Sequence, residues 1–154
     1  MLTRLYIDYF RCFVNFEFKP GRRQLIFGAN GSGKSSLMEA LLLIRQIASI
    51  GDTLHDSATL HQRTRWRDHQ RQSWELEASL NDQTYVYCLM LEPWGNPPTP
   101  GVVSETVYLE GKPLFEFIEG EVNLFNDRFE HTVSRSIGAV PLWQPLQRGR
   151  TTGS

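Results

Sequence analysis

The sequence has 154 residues, of which 40% are hydrophobic and 21% charged, and its formal net charge is −1 at pH 7. These values are typical of one folded globular domain. No stretch approaches the roughly 20 apolar residues that a membrane span requires, so we expect a cytoplasmic protein with no membrane partner. The two cysteines, Cys12 and Cys88, are too few for a disulfide framework or a cysteine-rich zinc module. We expect both to be reduced thiols in the core.

Charge is unevenly distributed along the chain. Residues 75–130 contain eleven acidic and two basic residues, whereas residues 131–154 contain three arginines and no acidic residue. Because the acidic residues of the first block alternate with aromatic and aliphatic ones, they indicate the solvent faces of strands rather than an acidic tail. We therefore expect separate surfaces for separate partners.

The first fifty residues combine short strands with one helix. Alternating apolar residues over 5–9 and an apolar run over 14–18 predict two strands, and the run over 24–27 predicts a third. Apolar residues at helical spacing predict a helix over 34–50. Its apolar face is too broad for an exposed helix, so we expect the helix to pack on a sheet.

The second half of the chain predicts an antiparallel meander. Five short strands over 74–125 are separated by turns rich in Gly, Asn and Asp and by a proline-rich loop over 92–101. The predicted organisation is a strand and helix core over 1–51, a polar arginine-rich connection over 52–73, an antiparallel β-subdomain over 74–130 and an irregular tail over 131–154.

One glycine-rich stretch carries recognisable chemistry. The segment 28–35, Gly-Ala-Asn-Gly-Ser-Gly-Lys-Ser, matches the phosphate-binding pattern G-x-x-x-x-G-K-[ST], the P-loop or Walker A motif. Its glycines allow successive backbone N–H groups to converge on a phosphate, and the N-terminus of the following helix favours the same anion. Lys34 is expected to reach the β- and γ-phosphates, and Ser35 to ligate Mg²⁺. The expected nucleotide-binding residues are Asn30, Gly31, Ser32, Gly33, Lys34, Ser35 and Ser36.

Residues 20–44, together with the predicted strands before them, resemble the N-terminus of ABC-type and SMC-like ATPases. This group includes RecF, Rad50 and bacterial AAA-family ATPases related to the OLD nucleases. Asn30 matches an asparagine typical of the group's loop, and Tyr9-Phe10-Arg11-Cys12-Phe13 stands where the group has an N-F-R-like motif. The resemblance implies an α/β fold: a P-loop NTPase lobe of the ABC-ATPase-head type with an antiparallel β-meander subdomain. It also implies ATP and Mg²⁺ as cofactors, with Arg11 near the nucleotide.

The same resemblance implies partners. The intact protein is expected to form a homodimer or larger assembly, in which one subunit's signature motif closes over the other's P-loop. Such a protein is expected to serve a DNA-repair or anti-phage machine, with nucleic acid or a partner effector protein as its target. Gln144 and Gln147 are weak candidates for the Mg²⁺-sensing glutamine of the group. The absence of an N-K-x-D motif for guanine favours ATP over GTP.

Other parts of such an ATPase are not found in the sequence. It has no S-G-G-type signature motif and no late apolar strand that ends in Asp-Glu, which would supply a Walker B acid and a catalytic glutamate. We therefore expect the chain to be the incomplete N-terminal part of an ATPase domain. The intact protein would hydrolyse ATP, and this chain alone would bind Mg-ATP and turn over little of it.

Two other functions remain open. A complete small P-loop kinase would place arginines over the phosphates, and the arginine-rich stretch 63–71 is the only candidate for such a lid. A non-catalytic interaction module would bind partner ATPases without any effect of nucleotide. We interpret 61–71 as a solvated segment in preference to a nucleic-acid contact, and its two histidines lack the spacing of metal ligands.

Overall fold

The computed structural model describes residues 1–48, 71–94, 99–126 and 128–136. These residues contain eight strands and one helix. In chain order the elements are β1 (Leu2–Asp8), β2 (Phe16–Phe18), α1 (Lys34–Ala48), β3 (Gln72–Leu80), β4 (Gln83–Trp94), β5 (Thr99–Leu109), β6 (Lys112–Ile118), β7 (Glu121–Phe125) and β8 (His131–Ser136). No helix in this described part of the chain has the length and apolar character needed to cross a membrane.

The eight strands form one sheet, in the order β2-β1-β3-β4-β5-β6-β7-β8, and every pairing is antiparallel. The predicted five-stranded meander is confirmed as β3 to β7. Because β1 pairs with β3, strands from the predicted 1–51 core and the predicted β-subdomain belong to the same sheet. The predicted α/β fold is therefore present only in part, as one helix on an antiparallel sheet.

The meander extends one strand further than the sequence predicts. β8 lies within the segment 131–154, which is predicted to be irregular. Its polar sequence has no strand signal of its own, but it pairs with β7 along its length, for example Val133 with Leu124. The hydrogen-bond ladder of the neighbouring strand thus imposes the extended conformation.

The predicted strand at 24–27 is not formed. Ile26 packs against the core, whereas Leu25 and Phe27 are 80% and 84% exposed. A strand needs a neighbour to satisfy its N–H and C=O groups, and no described strand lies beside this segment in the sheet. The apolar run therefore enters the glycine-rich loop without a partner among the described strands.

α1 packs on one face of the sheet, over β1, β3 and β4, as its broad apolar face predicts. The buried residues recur at the i, i+3, i+4 spacing of one helix face. The shared core is formed by Leu37, Ala40, Leu43 and Ile44 of α1, Leu5 and Ile7 of β1, Trp74 of β3, and Leu89 and Leu91 of β4.

The turn at residues 10–13 completes this core at the end of β1. The N–H of Phe13 donates to the carbonyl of Phe10 at 2.8 Å, so both rings point inward. The ring of Phe10 lies 5.5 Å from that of Trp74, and Phe13 stacks on Phe16 at 4.2 Å. Cys12, expected in the core, is exposed instead, because the two phenylalanines occupy the inward positions of the turn.

Charged side chains of β1, β2 and β3 form a cluster on the opposite face of the sheet. Leu5 faces α1, and the neighbouring Arg4 lies on the other face, where it forms ion pairs with Glu17 and Glu75. Hydrogen bonds from Arg4 and then Lys19 hold the pKa of the Glu17 carboxyl below its ordinary value. Glu75, the acidic residue of β3 in this cluster, therefore lies on a solvent face of the sheet, as the alternating pattern predicts.

Two adjacent leucines of α1 test the packing of the helix. Leu43 is 1% exposed and Leu42 is 53% exposed. We expect Leu43→Ala to lower the free energy of unfolding by about 2–5 kcal/mol, since it removes buried methyl groups and leaves a cavity. Leu42→Ala, with the same chemical change on the solvent side, should cost about 0.5 kcal/mol or less. Urea denaturation followed by circular dichroism measures both, and equal losses would contradict the helix orientation.

Candidate nucleotide-binding site

The glycine-rich loop at 28–33 leads directly into α1. The N–H of Leu37 donates to the carbonyl of Gly33 at 2.9 Å, which is the first i to i−4 bond of the helix. The N–H groups of residues 34–36 precede this bond, so the helix does not use them. The first turn of α1 contains no acidic residue. Unused N–H groups at the positive end of the helix dipole favour an anion at this position.

The loop conformation depends on glycine. Gly31 and Gly33 have φ values of +82° and +91°, a region that L side chains rarely adopt. At Gly28 the requirement is space, because a Cβ there would lie 2.5 Å from the Oγ of Ser32. The structure therefore explains why glycine occurs at each of these three positions.

The 10–13 turn packs against the last glycine of the loop. A Cβ on Gly33 would lie 3.1 Å from the Sγ of Cys12 and 3.5 Å from the ring of Phe13. Gly33 is thus constrained twice, by its backbone conformation and by this close approach. The loop and the turn between β1 and β2 form one continuous wall of the site.

The side chain of Lys34 connects the end of the loop to its beginning. Its Nζ donates to the carbonyl oxygens of Gly28 and Ala29, each at 2.7 Å, and to the Oγ of Ser32 at 3.4 Å. A lysine ammonium has three N–H donors, so these contacts use all of them. The bond to Ser32 is long and therefore weak. A phosphate oxygen would replace it with a shorter, charge-assisted hydrogen bond.

The structure places the predicted residues as follows. The loop and the start of α1 bring together the seven predicted residues from Asn30 to Ser36, and the side chains of Asn30 and Ser35 are exposed. Arg11 lies in the adjoining 10–13 turn, where its guanidinium forms an ion pair with Glu39 of α1. Gln144 and Gln147 lie outside the described residues.

Three residues at this site were not among those predicted for it: Cys12, Phe13 and Glu39. A glycine at position 33 indicates a close approach, but the sequence does not say which residue approaches. Glu39 lies four residues after Ser35, which puts both on one face of α1. That spacing could have indicated that Glu39 lies near the site. Its role there, however, depends on its ion pair with Arg11, which is distant in the sequence.

Comparison with protein families supports this site. A family model described as an "AAA domain" matches residues 4–45, and one described as "AAA domain, putative AbiEii toxin, Type IV TA system" matches residues 25–83. Both matches include the glycine-rich loop and most of α1, and each covers less than half of the chain. A search of curated proteins finds no match. The two matches are consistent with a P-loop ATPase family and support a nucleotide-binding, ATPase-like function.

Two glycine substitutions separate the backbone requirement from the packing requirement. Gly31 has positive φ with open space around it, whereas Gly33 has positive φ and touches Cys12 and Phe13. Gly31→Ala should cost about 1–2 kcal/mol of unfolding free energy from backbone strain alone. Gly33→Ala should cost roughly 1 kcal/mol more, because the thiol and ring must shift.

Chemical denaturation of both variants measures this difference. Adding Cys12→Ala to Gly33→Ala should recover part of the extra loss, since it removes the nearest atom. If the two glycine variants lose the same unfolding free energy, and Cys12→Ala recovers none of the loss in Gly33→Ala, the 10–13 turn does not support the loop.

Proposed function

We propose that this chain binds Mg-ATP at the glycine-rich loop over 28–36. The observation that carries the proposal is the combination of Lys34 held inside a glycine-dependent loop with unused N–H groups at an acid-free helix N-terminus. A triphosphate places negative charge where these donors converge. A glycine-rich turn that only connects two elements would need neither the lysine contacts nor the open helix end.

Each residue has a separate role in this proposal. The N–H groups of Gly31 and of residues 33–35 would donate to the β-phosphate, and Lys34 would exchange its Ser32 contact for the β- and γ-phosphates. Ser36 would contact the α-phosphate, and Asn30, exposed on the loop, would lie near the γ-phosphate. ATP is preferred to GTP because the sequence has no motif for guanine.

Mg²⁺ fits the exposed hydroxyl of Ser35, which lies at the start of α1. Within the described ranges, no group of three or more His, Cys, Asp or Glu side chains is placed to hold a metal ion. Mg²⁺ commonly binds through few protein ligands together with phosphate oxygens and water. When bound, the ion would neutralise charge on the phosphates.

We further propose that the protein is an ATPase of the ABC-type or SMC-like group that works as a dimer or larger assembly. The support is the order of β1, the Arg11 turn, the loop, α1 and an antiparallel meander, which agrees with the sequence resemblance. The second family description names a toxin of a toxin–antitoxin system, which favours a defence role over DNA repair. Little turnover is expected without a carboxylate that orients water.

Substitution of Lys34 tests the binding proposal. We expect isothermal titration calorimetry to detect Mg-ATP binding to the purified chain, and Lys34→Ala to weaken it at least about tenfold through loss of a charged hydrogen bond. Lys19→Ala is the matched control, because Lys19 pairs with Glu17 on the polar edge of the sheet. The control should bind like the original chain.

Titrations with ATP in the absence of Mg²⁺ provide a second test of the proposed function. With EDTA present, Ser35→Ala and the original chain should bind ATP with the same affinity, whereas with Mg²⁺ the variant should bind more weakly. A folded chain that binds no nucleotide in any of these titrations would refute the proposed function.

A further inference from the structure

The ion pair between Arg11 and Glu39 connects the 10–13 turn to α1 beside the glycine-rich loop. The two side chains are 24% and 33% exposed. The Nη2 of Arg11 contacts the Oε2 of Glu39, whereas the Nε of Arg11 is buried and has no hydrogen-bond partner among the described residues. A guanidinium offers five N–H donors in a planar fork. The Nε donor of Arg11 is therefore not used in this contact.

The backbone at Arg11 adopts an unfavourable conformation to reach this position. Its φ is +52°, and that of Tyr9 is +56°. Left-handed geometry is unfavourable for a residue with a side chain, and such residues often occur where function constrains the chain. The guanidinium also lies 6.0 Å from the centre of the Phe10 ring. The turn thus directs the Arg11 side chain toward α1.

The turn that carries this guanidinium adjoins the proposed phosphate site. The residue after Arg11, Cys12, contacts Gly33 of the loop. Glu39 lies about one helical turn, roughly 6 Å along the axis, beyond Ser35. Helical side chains point toward the N-terminus of their helix, so the carboxylate of Glu39 is directed toward Ser35. The guanidinium of Arg11, which pairs with this carboxylate, is therefore held on the same side of the helix.

We propose that Glu39 competes with the nucleotide for Arg11. In the nucleotide-free protein Glu39 holds the guanidinium, and a bound phosphate displaces the carboxylate and takes the fork of Arg11. Glu39 is then a positioning residue that lowers nucleotide affinity and keeps Arg11 ordered until the nucleotide arrives. This inference rests on the proposed function, because it requires a phosphate at the loop.

The reason for exchange is electrostatic. A phosphate group accepts two parallel hydrogen bonds from a guanidinium and carries at least as much charge as a carboxylate. The pair that it replaces makes no full hydrogen bond through the Nε of Arg11. Removal of the Glu39 charge should therefore favour the nucleotide, whereas removal of the Arg11 charge should disfavour it.

The test measures Mg-ATP affinity by calorimetry for four proteins: the original chain, Arg11→Gln, Glu39→Gln and the double variant. We expect Arg11→Gln to weaken binding about tenfold and Glu39→Gln to tighten it about fivefold, the range of a charge-assisted hydrogen bond. In the Arg11→Gln background, Glu39→Gln should change affinity less than about twofold, because no guanidinium remains to release.

Two controls separate this effect from general electrostatics and from misfolding. Glu39→Asp keeps the charge but shortens the side chain, so it should also tighten binding. Glu75→Gln removes the same charge at Arg4 on the opposite face of the sheet, and should leave the affinity unchanged. Denaturation midpoints confirm that each variant is folded.

The outcomes are distinct. Unchanged or weaker binding by Glu39→Gln, with binding by the original chain intact, would overturn the competition and leave the proposed function standing. The same would follow if Glu39→Gln tightened binding equally with and without Arg11. A folded original chain that binds no Mg-ATP would overturn both proposals.

Discussion

The packing of the 10–13 turn between the sheet and the start of α1 is the constraint on which the site depends. Phe10 and Phe13 anchor the turn in the core through contacts with Trp74 and Phe16. The side chains of Cys12 and Phe13 then lie so close to Gly33 that a Cβ there would crowd them. The turn therefore fixes where the loop ends, where the helix begins and in which direction its unused N–H groups point.

The two ends of the glycine-rich loop have different surroundings. The end at Gly33 is packed against the turn, whereas residues 24–27 reach the loop as an unpaired segment with Leu25 and Phe27 exposed. Lys34 joins the two ends, since its Nζ binds the carbonyls of Gly28 and Ala29. The shape of the loop thus depends on one helix-borne lysine as well as on its glycines.

Local sequence signals predicted the elements that are stabilised locally. The helix follows from its apolar spacing, the β3–β7 meander from alternation and turn residues, and the loop from the glycines before Lys34. The predicted strand at 24–27 was wrong in the described structure, because a strand depends on a neighbour and none of the described strands lies beside it. β8 was missed for the converse reason, since its neighbour supplies the pairing that its own sequence does not indicate.

The site shows the same division. The phosphate-binding residues are contiguous and follow a spaced motif, so the sequence was sufficient to name them. The contacts of Arg11 with Glu39 and of Cys12 with Gly33 join residues more than twenty positions apart. No periodicity indicates such pairs, and only the folded turn brings them together.

Amide chemical shifts would test the central claim most directly, which is that the loop and the helix N-terminus form the phosphate site. The measurement is a nitrogen-15 correlation spectrum of the labelled chain during titration with Mg-ATP. The account predicts the largest shifts at the N–H groups of residues 31–36, smaller ones in the 10–13 turn, and none in β6 to β8. Shifts concentrated on the meander, or no shifts in a folded chain, would contradict it.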